Sequence, residues 1–134
     1  MSRWRRIALQ ELPCCKRAIE EAKSPNRMWI GLREDFEEAL RASPPEAQKA
    51  KRILNFVLRC ERGLIPERVG SDEWLFFNYV LGSFIVGNST MREHLPHMMP
   101  EADFERWIVG IADTPEEIAE SRSAFYAARH RKKK

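Results

Sequence analysis

His94 and His97 stand three residues apart with Glu93 and Asp103 close by, a set whose side chains could bind a metal or move a proton. A zinc site needs three or four convergent ligands, and no spacing in this neighbourhood supplies the missing ones. Pro96 lies between the two histidines and disturbs the helix that would align them. The expectation is therefore no metal site, with helix capping or surface exposure as the ordinary role for this pair. Glu61, Glu67, Asp72 and Glu73 form a second cluster. Carboxylates sharing a dry pocket split their pKa values and can act as acid and base. These four fall on what reads as an exposed connector and helix cap, where carboxylates stay ordinary. Cys60 would need a base brought to it in space, and nothing local offers one. No nucleophile elbow, HExxH pair, phosphate-cradling glycine loop or dinucleotide fingerprint is present. No catalytic residue and no cofactor are expected, and the balance leans away from an enzyme.

Cys14, Cys15 and Cys60 are odd in number and irregularly spaced, which argues for reduced thiols and a reducing compartment, the cytoplasm. Adjacent residues leave a helix in different directions, so Cys14 and Cys15 are not expected to share a ligand. The arginine-rich start is followed by a stretch broken by Gln10, Glu11 and Pro13, without the apolar core of a signal peptide. The formal charge is +3, yet five positive charges fall in the last six residues, leaving −2 for residues 1–128. The basic balance thus lives at the ends, and the body is mildly acidic.

The elements that would position these groups read as helices. Residues 2–12 place Trp4, Ile7 and Ala8 at helical spacing, and Pro13 opens a second segment with a narrow stripe of Cys15, Ala18, Ile19 and Ala22. The small residues of that stripe would permit close approach of a neighbour. Ser24-Pro25 reads as a capped start, with Trp29, Leu32, Phe36, Ala39 and Leu40 on one face of the helix it opens. Ser43 with Glu46 reads as a capping box before Ala47, Ala50, Ile53, Leu54, Val57 and Leu58, with Gly63 as the stop. Leu64–Gly70 is a connector, and Ser71 or Asp72 caps the next helix.

Trp74–Gly87 holds fourteen residues with five aromatics and no charge. It is too short to cross a bilayer as a helix, which takes about 20 residues. Being apolar on nearly every face, it reads as a buried central helix. Within it, Asn78 is expected to be a buried amide that needs a hydrogen bond, and Gly82 to admit a closely packed neighbour. Thr90 with Glu93 reads as a further capping box, Pro100 opens a helix bearing Phe104, Trp107, Ile108 and Ile111, and Thr114-Pro115-Glu116-Glu117 opens the last. That last helix buries Ile118, the stem of Arg122 and Phe125. The whole predicts an all-α, single-domain bundle of about five to seven helices over residues 1–128, with a disordered basic tail at 129–134.

From Ser24 to Ala128 the order of these features resembles a family of small uncharacterised bacterial proteins. The carrying segments are WIGLREDFEEALRASPPEAQKAKRILNFVLRC, NYVLGSFIVGNSTMREHLPHMM and EADFERWIVGI. Leu95-Pro96 and Phe104 match the family pattern, and Asn55, Phe56 and the Arg59-Cys60 pair hold the place of its "WC" segment. Where the family has a "FYEH" motif, this chain has Ser83, Phe84, Ile85, Val86 and Gly87, so that tyrosine, glutamate and histidine are absent. Some members look like immunity or accessory proteins encoded beside toxins, which implies a binding role.

Three functional readings are open. The first is a protein-interaction module, immunity- or antitoxin-like, with Trp4, Trp29, Trp107 and Tyr126 as anchors. The second is a nucleic-acid-binding accessory protein that uses Arg3, Arg5, Arg6, Arg129, Arg131, Lys132, Lys133 and Lys134 on phosphates. The third is a small enzyme with a cleft lined by Asn78, Tyr79, His94 and His97.

Overall fold

The computed structural model describes residues 2–65 and 73–131, and within them the chain is all-α. Eight helices run in order, with no strand among the described residues: α1 Arg3–Glu11, α2 Lys16–Glu21, α3 Pro25–Arg41, α4 Ala47–Glu61, α5 Glu73–Ile85, α6 Ser89–His94, α7 Glu101–Ile111 and α8 Pro115–His130. Short 3-10 turns at Pro13–Cys15 and Leu95–His97 lie just before α2 and just after α6. Each begins beside a proline, which lacks the amide that a helix interior needs. The chain divides into two compact units, Met1–Phe76 and Phe77–Lys134, with the division inside α5.

In the first unit, α3 packs against α2 and α4. Met28, Trp29, Leu32, Phe36, Ala39 and Leu40 of α3 are buried, as its apolar stripe requires. Trp29 meets Phe56 of α4 with ring centroids 5.8 Å apart. The α2–α3 pair is closer still, because a Cβ built on Gly31 would lie 3.2 Å from the Cβ of Ala18. The small stripe of α2 thus does admit a near neighbour. Arg59 of α4 reaches Glu11 of α1 at 2.9 Å.

In the second unit, aromatic rings make the core. Phe104 and Phe125 stack at 3.9 Å, Phe84 meets both edge-on, and Phe77 lies 4.5 Å from Trp107. Arg92 of α6 ties the elements together. Its guanidinium donates to the carbonyl oxygens of Phe84 and Ile85 at the end of α5, covers the Phe84 ring and pairs with Glu120 of α8 at 2.8 Å. The orphaned carbonyls of a helix C-terminus are thereby satisfied by a cation, which the helix dipole favours.

Helix ends obey local chemistry. Ser24 accepts from Arg27 N–H at 3.2 Å, and Thr114 accepts from Glu117 N–H while Glu117 accepts from Asp113 N–H. Gly63 and Gly87 take φ of +71° and +88°, each ending a helix with paired backbone bonds, Gly63 N–H to Cys60 and Leu64 N–H to Arg59 in the first case. Two expected starts move. Asn88, not Thr90, caps α6 by accepting from Met91 N–H. α4 begins at Ala47 with no side-chain cap from Ser43, and Glu46 N–H donates instead to Ala39 at the end of α3. The Ser71 or Asp72 cap lies outside the described residues.

α8 also runs further than expected. It continues to His130, and Arg129 donates to the carbonyls of Pro96 and Met99 at 3.4 and 3.0 Å. Basic character alone places the tail's start at Arg129, whereas a long side chain next to the last buried residue, Ala128, finds acceptors within reach.

Candidate functional site

α5 is uncharged from Trp74 to Ile85, but it is not buried all round. Glu73, Phe76, Phe77, Val80, Leu81 and Phe84 are buried, a stripe at i, i+3, i+4, i+7, i+8 and i+11. The opposite side faces outward, with Trp74 51% exposed, Asn78 exposed, and Leu75, Tyr79, Gly82 and Ile85 half-buried. Val86, just past the helix, is 82% exposed. The expectation of a helix buried on every side is corrected here, because lack of charge permits burial without enforcing it. Gly82 is corrected with it: a Cβ there would meet nothing within 4 Å, so this glycine admits no close neighbour. Asn78 sits on the outward face and keeps its amide in water, with no desolvation to offset.

This outward face holds a tryptophan, a tyrosine and aliphatic side chains with no charge among them. Of its two large aromatics, Trp74 is half-exposed and Tyr79 half-buried, and an exposed indole offers apolar area at small entropic cost. Sequence reasoning misses Trp74 as an anchor. The signal available is the line Trp74, Asn78 and Gly82 at i, i+4 and i+8, which sets the polar and smallest residues of the run on one side.

The four expected anchors are placed differently. Trp29 is 1% exposed and belongs to the core, its indole N–H finding no acceptor among the described residues. Trp107 is half-buried on Phe77, and Trp4 is half-buried with the Arg5 guanidinium 4.7 Å from its ring. The Tyr126 hydroxyl donates to Glu105 at 2.7 Å and to Glu101 at 3.2 Å. Those bonds, the one to Glu105 foremost, push its ionisation well up. Glu105 is also paired with Arg122 at 2.7 Å, so Arg122 makes a surface ion pair rather than lending a buried stem.

The basic ends are partly committed to the fold. Arg5 donates to the Ile19 and Ala22 carbonyls at the end of α2, and Arg129 donates to the Met99 carbonyl. Arg3, Arg6 and Arg131 are exposed, and Lys132, Lys133 and Lys134 lie outside the described residues.

The histidine neighbourhood does not assemble a metal site. Among the described residues, no group of three or more His, Cys, Asp and Glu side chains is placed to hold one. His94 lies 4.0 Å from Glu93, and Asp103 is buried with Arg106 at 2.7 Å. With Asn78 facing outward, the expected cleft with Tyr79, His94 and His97 loses its buried amide. Of the carboxylate cluster, Glu73 is buried in the first turn of α5, not exposed as expected, and Glu61 is half-buried. Glu67 and Asp72 lie outside the described residues. Among the described residues, no helix is long and apolar enough to cross a membrane.

A groove of about 810 Å³ runs along α2 and α3 in the first unit. Ala18, Ala22, Ile30 and Gly31 line it, charged side chains such as Arg17, Glu34 and Lys49 border it, and Cys14 and Cys15 contribute to its wall. The two sulfurs stand 3.8 Å apart. Their separation corrects the expectation that the two thiols diverge, which assumes helical geometry at both residues, whereas Cys15 leaves it with φ −117° and ψ 29°. Burial, with Cys14 and Asp35 adding to it, pushes the Cys15 thiol well above its usual range.

No family model matches the chain, and no match is found among curated proteins or solved structures.

Proposed function

We propose that this chain is a protein-interaction module without catalytic activity, and that it receives a partner on the outward face of α5. The observation that supports this reading is the uncharged face carrying Trp74, which is 51% exposed in a helix that is otherwise a core element. A half-exposed tryptophan on an uncharged helix face suits burial against a partner. The partner it suits is a protein presenting an apolar, uncharged surface, with Trp74 as the anchor. An immunity or accessory role beside a bacterial toxin is the form that the sequence resemblance implies. Free thiols at Cys14 and Cys15 fit a reducing compartment such as the cytoplasm.

The reading is tested by affinity capture from the organism that encodes the chain, with wild type and Trp74→Asp run in parallel. The expected result is one polypeptide recovered in stoichiometric amount with wild type and lost with the variant, while both chains give the same helical circular dichroism. Recovery of no stoichiometric partner, or equal recovery with both chains, overturns the proposal.

A further inference from the structure

The Cys14–Cys15 pair goes beyond a surface for protein contact. Both side chains line the α2–α3 groove, with Cys14 exposed, Cys15 buried and their sulfurs 3.8 Å apart. Joining them to each other is disfavoured by geometry. The Cα atoms of neighbouring residues are held about 3.8 Å apart by a trans peptide, while disulfides span about 4.4–6.8 Å between Cα atoms. An atom placed between the sulfurs meets no such obstacle. Two bonds of about 2.3 Å, the length of a zinc–thiolate bond, cover a span of that size at a near-tetrahedral angle, and a pyramidal centre with a narrower angle asks the side chains to close by only a few tenths of an ångström.

A structural zinc ion is a poor occupant, since it takes four protein ligands and no group of three suitable side chains exists among the described residues. The fitting centre is one that needs two protein sulfurs and brings its remaining substituent with it. We propose that Cys14 and Cys15 form a chelating dithiol for a monosubstituted trivalent arsenical, R–As, whose organic group lies against Ala18, Ala22 and Ile30 in the groove. With an arsenoxide, R–As=O, the step is a condensation. Cys14, the exposed thiol, reacts first, and Cys15 closes the chelate from its buried position. In all, two S–H bonds and the bonds from arsenic to oxygen break, two As–S bonds form, and the oxygen leaves as water with both thiol protons. Arsenic stays trivalent and nothing is oxidised or reduced.

The test is intact-mass spectrometry of the full chain after treatment with phenylarsine oxide in excess monothiol. One phenylarsenic group per chain is expected, resistant to the monothiol and removed by a small dithiol such as dimercaptopropanol. Cys14→Ser is the deciding variant, because Cys14 is exposed and its replacement leaves the core alone; it should lose the monothiol-resistant adduct. Cys60→Ser should keep it. X-ray absorption at the arsenic edge should count two sulfur neighbours in the wild-type adduct. No resistant adduct on wild type, an adduct retained by Cys14→Ser, or a single sulfur neighbour would each overturn the proposal.

Discussion

Helices α3 and α5 each carry a glycine in their interior, and the two glycines meet opposite surroundings. Gly31 of α3 faces Ala18, where an added Cβ would be 3.2 Å from its neighbour, while the same atom on Gly82 of α5 would meet open space. The outward side of α3 is marked by charge, with Arg33, Glu34, Glu37, Glu38 and Arg41. That of α5 is marked by nothing but Asn78 and a missing side chain. A helix whose exposed side bears charges has only the fold to serve with its apolar stripe. On α5 the outward side leaves Trp74 51% exposed, and this is the area on which the proposed partner would sit.

The contrast can be broken at its strongest point first. Phe77 is fully buried against Trp107. Phe77→Ala should cost about 3–5 kcal/mol by urea denaturation, from lost transfer energy and the cavity left behind. A loss under about 1 kcal/mol would mean that α5 has no core face. Next in size is Arg92→Ala, which strips a charged donor from the carbonyls ending α5; about 2 kcal/mol should be lost. Thermal melts showing no change would place those carbonyls in water.

The glycines themselves should respond with opposite signs. Gly31→Ala should destabilise by about 1 kcal/mol, because Ala18 has no flexible end that could yield, and the overpacking outweighs the gain in helix propensity. Gly82→Ala should stabilise by roughly 0.5–1 kcal/mol, since helix propensity improves and nothing is displaced. Two shifts of the same sign would undo the contrast between α3 and α5.

The smallest effect is one of pH. The Arg92 hydrogen bond holds the Glu120 carboxyl below its ordinary value of 4.5. A carboxyl lowered on folding adds stability above its unfolded pKa and loses it as pH falls through the folded one. Wild type should therefore lose, between about pH 5 and 3, a contribution that Glu120→Gln lacks. It should be under about 1 kcal/mol, because Glu120 is mostly exposed. Identical pH profiles for the two chains would show that the pair contributes nothing.

Local chemistry is what the sequence makes legible. Ser24, Thr114 and Gly63 announce helix ends because a cap is made within a few residues of chain, and the stripe of α3 is legible because charge opposes it. Arg5 and Arg129 read as free cations in the sequence because their acceptors, the Ala22 and Met99 carbonyls, lie 17 and 30 residues away. No side-chain pattern reports such an acceptor. Trp29 and Trp74 trade roles between sequence and structure, the first reading as an anchor yet lying in the core, the second reading as core yet standing outward. A tryptophan suits either environment, and only its neighbours decide. The paired thiols are illegible for a related reason, since helical geometry is the natural assumption there and Cys15 leaves it, with φ −117° and ψ 29°.

Helix α5 has one side that holds the fold and one that faces outward at Trp74 and Asn78, and two substitutions three positions apart test this directly. Phe77→Asp and Trp74→Asp place the same charge on the two sides of the same helix, and equilibrium urea denaturation reads both. Phe77→Asp should abolish cooperative folding, because an unpaired carboxylate cannot be buried there without a penalty of several kcal/mol. Trp74→Asp should change stability by no more than about 1 kcal/mol, as a half-exposed position in the first turn of a helix tolerates a carboxylate. Unfolding of both variants, or of neither, would contradict a helix with two unlike sides.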